Sequence, residues 1–192
     1  MDVLRPGIYK RMKRGPQIIL PKDIGIIISY SGVGKDSVCV DAGTGSGWMA
    51  VSLARISKKV YTYEIRDDFI EIAQRNINMF GLDNVEIRHA DITKGIRERD
   101  VDLVVLDMPN SEKAVRHAWK ALKEGGTLAG YLPHTEQMKK FVLKAEKCGF
   151  VEICALEVII RDMLVREAGV RPSTKGVWHT AYLVFCIKNI SK

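Results

Sequence analysis

Apolar and polar residues alternate along most of the chain in blocks that predict strands and helices in turn. Short apolar runs of strand length occupy residues 38–42, 60–64, 85–90, 101–107 and 127–132. The segments between and after them predict helices over residues 46–57, 67–80, 111–123 and 135–148. Strands that alternate with helices in this way predict a parallel sheet with helices on both faces.

The two ends of the chain break this alternation. Residues 150–160 and 180–187 are long strand-like runs with no helical pattern between them, which predicts an antiparallel pair on one edge of the sheet. The polar loop between them is long enough to predict a functional role. At the other end, residues 1–22 are basic and predict an extended arm ahead of a domain over residues 23–192, and residues 23–30 predict a short helix capped by Asp23.

Composition narrows the class of protein. The chain has 192 residues, of which 46% are hydrophobic and 28% charged, as in a globular domain, and no apolar run reaches the ~18 residues of a membrane span. The N-terminus has no secretory signal, so we expect a cytoplasmic protein. The four cysteines predict buried free thiols, and the scattered histidines predict no metal site. The net charge of +7 fits a nucleic-acid partner, and equally a mildly basic enzyme without one.

The sequence DAGTGSGWMA, residues 41–50, is the first candidate for a binding site. The strand over residues 38–42 runs into Gly43, Thr44, Gly45, Ser46 and Gly47, and a helix follows, as a cofactor-binding turn requires. A dinucleotide-binding loop has the pattern G-x-G-x-x-G, and Trp48 occupies the place of its third glycine. The pattern G-x-G-x-G instead indicates S-adenosylmethionine (SAM).

Acids follow at the ends of the next strands. Glu64 can accept hydrogen bonds from both hydroxyls of a ribose. Asp91 can accept from an adenine amino group while Ile92 packs on the ring, or it can simply form a turn. Asp107 ends the fourth strand. In an open parallel sheet these positions border one crevice, which is where ligands bind.

From Gly15 to Lys188 the chain resembles the tRNA (adenine-N1)-methyltransferases that act on the T loop. The resemblance rests on RGPQIILPKD (14–23), DAGTGSG (41–47), YEIRDDF (63–69), DIT (91–93), VDLVVLDMP (101–109), LKEGG (122–126), YLPHTEQ (131–137) and HTAYLVF (179–185). GTGSG is common to many SAM enzymes, whereas PQIILPKD, LDMP and HTAYLVF are much narrower.

The resemblance implies a Rossmann-like class I methyltransferase with a seven-stranded, mostly parallel sheet. It implies SAM as cofactor, tRNA as substrate, a homotetramer, and Asp107 as the catalytic residue. It also implies that Gln17, the GTGSG loop, Glu64, Asp91 and Asp107 surround the cofactor.

The chain departs from the family on the substrate side. Relatives usually carry a small β-rich domain before the RGPQ segment, where this chain has a short basic arm, so we expect altered tRNA docking and assembly. Leu20 stands where many relatives have a tyrosine, and Asn110 and Ser111 stand where relatives have a Pro-Trp pair. Met108, Tyr131 and His134 are further candidates for contact with the target base. Basic residues near 10–14 and in the loop 161–175 are candidates for contact with RNA.

Three other functions compete with tRNA methylation. The first is a SAM-dependent methyltransferase for a small molecule or a protein, and the second is a non-catalytic RNA-binding subunit. The retained glycines and strand-end acids argue against the second. The third, an NAD-dependent oxidoreductase, conflicts with Trp48.

Overall fold

The computed structural model describes residues 7–15 and 18–190. In these ranges the helices are α1 (Gly7–Arg11), α2 (Pro21–Ser31), α3 (Trp48–Ala54), α4 (Asp67–Met79), α5 (Val115–Ala121) and α6 (Thr135–Cys148). The strands are β1 (Val38–Ala42), β2 (Lys59–Glu64), β3 (Val85–His89), β4 (Val101–Leu106), β5 (Leu122–Leu132), β6 (Phe150–Glu157), β7 (Met163–Arg166), β8 (Gly169–Pro172) and β9 (Tyr182–Lys188). Short 3-10 turns occupy Ile92–Lys94 and Ser111–Lys113.

Seven strands form one sheet in the order β3-β2-β1-β4-β5-β9-β6. The pairs from β3 to β5 are parallel, and β9 pairs antiparallel with both β5 and β6. This confirms the predicted Rossmann-like, mostly parallel sheet with an antiparallel C-terminal pair at one edge. The strand order reverses between β1 and β4, so their carboxyl ends open the crevice in which α/β proteins bind ligands.

The core has two layers, one on each face of the sheet. On one face, strand residues such as Val104 and Leu128 pack under Ala118 of α5 and Phe141 of α6. On the other face, Leu103 and its neighbours pack under α2, α3 and α4. Alternate residues of one strand therefore face opposite layers, as a sheet buried on both sides requires.

The helix predicted over residues 111–123 is shorter than expected. It divides into the 3-10 turn Ser111–Lys113 and α5, and α5 ends at Ala121. Leu122 is buried and already pairs with Val101, so burial and a ladder contact start β5 before the two glycines that were expected to end the helix. Gly125, with φ +71°, lies in the irregular start of β5 instead.

Part of the predicted extended arm is helical and docked on the domain. The Tyr9 ring stacks on Trp48 with the ring centroids 4.5 Å apart, and its hydroxyl lies 2.5 Å from the Ser52 hydroxyl. Met12 is buried in the same layer. The extended conformation is therefore wrong for residues 7–11, while the division at residue 22 stays a prediction.

Asp23 does not cap α2. The helix begins at Pro21 with Leu20 in the N-cap position, because proline fits the first turn of a helix. Asp23 is fully buried and accepts hydrogen bonds from Lys22 Nζ (2.7 Å) and Thr180 Oγ1 (3.0 Å). It thus joins α2 to the chain just before β9.

The loop between β6 and β9 contains structure that the sequence did not predict. Strands β7 and β8 form a separate antiparallel hairpin. All four cysteines are free, as predicted, and Cys39 and Cys186 are buried. The burial prediction is wrong for Cys154, which is exposed on the edge strand β6.

Candidate active site

A cleft of ≈ 610 Å³ opens at the carboxyl ends of β1 to β4. Its walls come from the glycine loop, the segment after β2, the segment after β3 and the segment after β4. The lining residues are Gly43, Gly45, Tyr63, Glu64, Ile65, Arg66, Phe69, Ala90, Asp91, Ile92, Thr93, Asp107, Met108, Pro109, Asn110 and Lys113. The structure thus brings six of the predicted site residues together: Gly43, Gly45, Glu64, Asp91, Ile92 and Asp107.

The glycine loop forms the floor of the cleft. Gly43 has φ +86°, and a Cβ atom there would lie 1.8 Å from the carbonyl oxygen of Asp107. Gly45 has φ +52°, and a Cβ atom there would meet only the Gly43 carbonyl oxygen, at 3.7 Å. Gly43 therefore allows the loop to contact the end of β4, whereas Gly45 leaves space on the cleft side for a ligand.

Three residues of the loop are not among those that line the cleft. The Thr44 hydroxyl lies 2.6 Å from the Thr62 hydroxyl. Gly47 is the N-cap residue of α3, and a Cβ atom on it would lie 3.4 Å from the Cβ atom of Ala73. Ser46 is buried, and its hydroxyl has no hydrogen-bond partner among the described residues. Gln17 lies outside the described residues. Contact of these four with a cofactor stays a prediction.

The Glu64 carboxylate is fixed by three backbone amides. Its Oε2 accepts from the Gly45 amide (3.0 Å), and its Oε1 accepts from the amides of Ile65 (2.9 Å) and Arg66 (3.2 Å). The side chain is buried but lines the cleft. Carboxylate oxygens have further lone pairs, so a fixed carboxylate at this place can accept from two hydroxyls of a ligand.

Asp91 serves as a turn former and still offers an acceptor to the cleft. Its Oδ1 accepts from the amide (2.9 Å) and the hydroxyl (2.6 Å) of Thr93, which caps the following 3-10 turn. These hydrogen bonds hold the pKa of Asp91 below its ordinary value. Oδ2 makes no hydrogen bond within the described part of the chain, so it is available for the contact with an adenine amino group, which stays a prediction.

Asp107 is a half-buried carboxylate whose pKa is raised by its surroundings. Burial, and then the charge of Asp41, raise the pKa of Asp107 to about 7. Asp41 is itself buried. Burial raises the pKa of Asp41 to about 6, although its Oδ2 accepts from Thr62, and its Oδ1 has no partner among the described residues. A positively charged ligand in the cleft would favour the ionised form of Asp107.

Several lining residues were missed from the sequence. Ile65 directly follows Glu64 and is 64% exposed, and it lines the cleft together with buried Ile92. Two aliphatic side chains in one cleft offer apolar surface to a flat base. The Arg66 guanidinium lies 4.0 Å from the centre of the Phe69 ring, and both line the same wall. The only sequence feature that could have placed Ile65 in the cleft is its position directly after the strand-end acid Glu64.

Only some of the residues predicted to lie near the target base line the cleft. Met108 and Asn110 line the cleft, and Asn110 adopts a left-handed conformation with φ +57°. Tyr131 and His134 are not among the lining residues. Burial raises the pKa of Tyr131, and Asp23 raises it further, so its hydroxyl stays protonated.

Two further properties concern the described residues only. Within residues 7–15 and 18–190 no group of three or more His, Cys, Asp or Glu side chains is arranged to hold a metal ion. No helix in these ranges combines the length and apolar character needed to cross a bilayer.

The sheet order and the cleft beside the glycine loop are those of a class I methyltransferase. Residues 10–177 match the GCD14 family, described as the tRNA methyltransferase complex GCD14 subunit. The chain belongs to this family of tRNA methyltransferases, which confirms the resemblance found in the sequence.

Individual relatives agree with this assignment. The chain is 38% identical over 206 residues to the tRNA (adenine(57)-N(1)/adenine(58)-N(1))-methyltransferase TrmI of Methanocaldococcus jannaschii, covering 92% of this chain and 73% of the relative. It is 33% identical to the tRNA (adenine(58)-N(1))-methyltransferase TrmI of Thermus thermophilus, covering 96% and 75%.

Solved structures give the same fold. A protein from Thermotoga maritima described as a SAM-dependent O-methyltransferase superposes with a TM-score of 0.91 at 34% identity, covering 97% of this chain and 73% of that one. The tRNA (m1A58) methyltransferase TrmI of Aquifex aeolicus superposes with a TM-score of 0.89 at 27% identity, covering 97% and 78%. The first name specifies an oxygen acceptor and the second an adenine.

Proposed function

We propose that this chain transfers a methyl group from SAM to N1 of an adenine in the T loop of tRNA, at position 57 or 58 as in the named relatives. The product is 1-methyladenosine. The observation that carries the proposal is the position of Asp107, which lines the cleft and whose backbone carbonyl contacts Gly43 of the glycine loop. Family membership supports tRNA as the substrate.

Four features of the cleft support SAM as the cofactor. The open space above Gly45 suits the close approach of a ligand, and the fixed Glu64 carboxylate suits a ribose. The free Oδ2 of Asp91 suits an adenine amino group, with Ile65 and Ile92 offering apolar contact to the ring. When bound, SAM supplies an electrophilic methyl group on a positively charged sulfur. We include Gln17, Thr44, Ser46 and Gly47 in the proposed site on the family resemblance alone.

Asp107 would orient the target base. Adenine N1 carries the lone pair that attacks the methyl group, so no proton has to leave N1 first. A carboxylate that accepts a hydrogen bond from the exocyclic amino group holds the base in the attacking orientation. The methylated base is cationic, and the same carboxylate stabilises the charge as it develops. Because the target adenine lies inside folded tRNA, it must turn out of its stack to enter the cleft.

O-methylation is the alternative that a specific observation favours. The Thermotoga maritima protein that superposes with a TM-score of 0.91 is described as an O-methyltransferase. Transfer to a hydroxyl needs a base that removes a proton, and a carboxyl with a pKa near 7 is suited to that task. The non-catalytic subunit is disfavoured, because a chain that only binds RNA has no need for the six predicted residues gathered in the cleft.

The product nucleoside distinguishes these functions. Unmodified tRNA transcript, SAM and the protein are incubated, and the RNA is digested to nucleosides for mass spectrometry. We expect 1-methyladenosine, and its loss from a transcript in which adenines 57 and 58 are both replaced by guanosine. A 2′-O-methylated nucleoside, or no methylated nucleoside at all, would contradict the proposal.

We also propose that the chain forms a homo-oligomer through the segment around β7 and β8. Large apolar side chains there are exposed to solvent, among them Ile160, Met163, Val165, Val170 and Trp178. Clusters of this kind mark protein–protein contacts. Light scattering after gel filtration should give a mass of two or four chains. Val165→Lys combined with Val170→Lys should lower it, and a monomeric wild type would contradict this proposal. The location of the protein in the cytoplasm is also a proposal. It depends on the proposal that tRNA is the substrate.

A further inference from the structure

A second hollow, of ≈ 450 Å³, lies where α5 packs beside α6, apart from the cleft. Its lining residues are Arg116, Trp119, Lys120, Lys144, Lys147 and Cys148. Four of these six side chains are cations. None of the four lies within ion-pair distance of a carboxylate in the described part of the chain. Mutual repulsion among unpaired cations costs stability, so an anionic partner is the simplest reason for such a cluster.

The hollow is connected to the cleft by a row of cations. Lys113 lines the cleft, and Arg116 and Lys120 follow it at spacings of three and four residues. The 3-10 turn that ends at Lys113 continues into α5 through Ala114, which has right-handed helical angles. These spacings therefore place the three side chains on one face of the segment. At 1.5 Å per residue the row is roughly 10 Å long.

The neighbouring helix contributes a parallel set. Lys144 and Lys147 lie three residues apart on α6, and Lys140, which is exposed, lies one turn before them. We call Lys113, Arg116, Lys120, Lys144 and Lys147 the basic track. It begins in the cleft and continues over the outer surface of α5 and α6.

Helix dipoles do not account for the track. Lys120 and Lys147 lie in the last turns of α5 and α6, where a cation is favoured. Arg116 lies in the N-terminal half of α5, away from the C-terminal turn in which the dipole favours a cation, and Lys144 precedes the last turn of α6. The dipole effect decays within one turn. These two residues therefore call for another explanation.

The hollow is suited to phosphates more than to bases. The ammonium group of Lys188 lies 4.5 Å from the centre of the Trp119 ring and donates to the Leu122 carbonyl. The Trp119 ring thus has a cation over one face, whereas proteins that bind bases offer open aromatic faces. Lysine and arginine side chains that lie without an open aromatic face beside them contact the phosphates of the nucleic-acid backbone and so position the strand.

We propose that the basic track binds the sugar–phosphate backbone of the tRNA strand that leaves the cleft. The inference rests on the proposed function for the identity of the RNA. A row of roughly 10 Å is long enough to contact successive phosphates of the strand beside the target adenine. The track would hold the strand in register while the target base turns into the cleft.

The test uses a triple variant and a matched control. Arg116→Gln, Lys120→Gln and Lys144→Gln remove three charges outside the cleft. The control, Lys35→Gln, Arg55→Gln and Lys58→Gln, also removes one arginine and two lysines, from exposed loops that precede β1 and β2. The affinity for unmodified tRNA transcript is measured without SAM at several salt concentrations, and SAM affinity is measured separately to establish folding. The double variant Arg116→Gln with Lys120→Gln replaces the triple variant if the half-buried Lys144 proves necessary for folding.

Each phosphate contact contributes about one to the slope of log affinity against log salt concentration. This slope is negative, and we expect the triple variant to reduce its magnitude by about two to three. The tRNA affinity should fall tenfold or more at low salt, with SAM affinity unchanged. Equal tRNA affinities and slopes for the triple variant and the control would overturn the track. If the wild type forms no 1-methyladenosine but the triple variant still loses tRNA affinity, the proposed function fails and the track stands.

Discussion

Gly43 and Asp107 touch through their backbones, since a Cβ atom on Gly43 would lie 1.8 Å from the carbonyl oxygen of Asp107. The Asp107 amide also donates to the Ala42 carbonyl over 2.8 Å, which extends the ladder between β1 and β4. The loop that would hold the cofactor and the residue that would orient the base are therefore in direct backbone contact. We expect a substitution that displaces one of them to displace the other.

Substitution of the two glycines in this loop should have different effects. Both have positive φ, so alanine costs about 1–2 kcal/mol at either position. Gly43→Ala also collides with the end of β4, so we expect an additional loss in the free energy of unfolding and displacement of Asp107. Gly45→Ala should lose only the roughly 1–2 kcal/mol of the backbone conformation, but it should bind SAM more weakly. Urea unfolding and calorimetric titration with SAM measure the two effects, and equal unfolding free energies for both variants would contradict this account.

The stability of the ligand-free protein should depend on the ionisation of Asp107. The pKa of Asp107 is raised to about 7 by burial and by Asp41, so the fold favours the protonated form. Between about pH 4 and pH 7 the folded chain binds more protons than the unfolded chain, and the free energy of unfolding falls as pH rises. Asp107→Asn should weaken this fall, so the variant gains stability relative to the wild type at pH 8 compared with pH 5. The pKa of Asp41, raised to about 6, leaves some pH dependence in the variant. Parallel urea-unfolding profiles for both proteins would show that Asp107 does not carry the effect.

Glu64 should control affinity for the cofactor. Hydrogen bonds to a charged group contribute about 1.5–3 kcal/mol each. Glu64→Gln keeps the shape of the side chain but removes the charge, so we expect SAM to bind roughly ten- to a hundredfold more weakly. Glu71→Gln is the matched control, because Glu71 is an exposed residue of α4 outside the cleft. If the two variants bind SAM with equal affinity, the role given to Glu64 is wrong.

Substitutions of Ile65 and Ile92 should have different effects on SAM binding and on stability. Ile65 is 64% exposed, so Ile65→Ala is expected to weaken SAM binding with little change in the free energy of unfolding. Ile92 is 4% exposed and belongs to the core, so Ile92→Ala should lower both, with a stability loss of about 2–5 kcal/mol. Titration with SAM and urea unfolding on each variant test the contrast. Unchanged SAM affinity in Ile65→Ala would remove that residue from the proposed site.

The sheet and the strand-end acids could be predicted because each depends on local pattern and on the geometry of parallel strands. Glu64, Asp91 and Asp107 each follow an apolar run, and parallel strands bring such positions to one edge. Ile65 and Arg66 could not be placed in the same way, since residues after a strand have no periodicity that shows which way they face. Their position depends on the path of the chain into α4.

Long-range contacts explain the other differences. Tyr9 lies in a helix that is docked through stacking of its ring on Trp48, a residue of another element, and the local sequence gives no sign of that contact. Asp23 resembles a helix cap in sequence, yet Pro21 sets the start of α2, and Lys22 and Thr180 take up the Asp23 carboxylate. The hairpin β7–β8 was hidden in a segment that reads as a polar loop.

The central claim is that Asp107 orients the target adenine in this cleft. The most direct measurement is the single-turnover rate of 1-methyladenosine formation on tRNA transcript by wild-type protein and by Asp107→Ala, with both proteins saturated with SAM. The account predicts that the variant still binds SAM and tRNA but forms 1-methyladenosine at least about a hundredfold more slowly. A rate within threefold of the wild type would show that Asp107 does not serve the reaction.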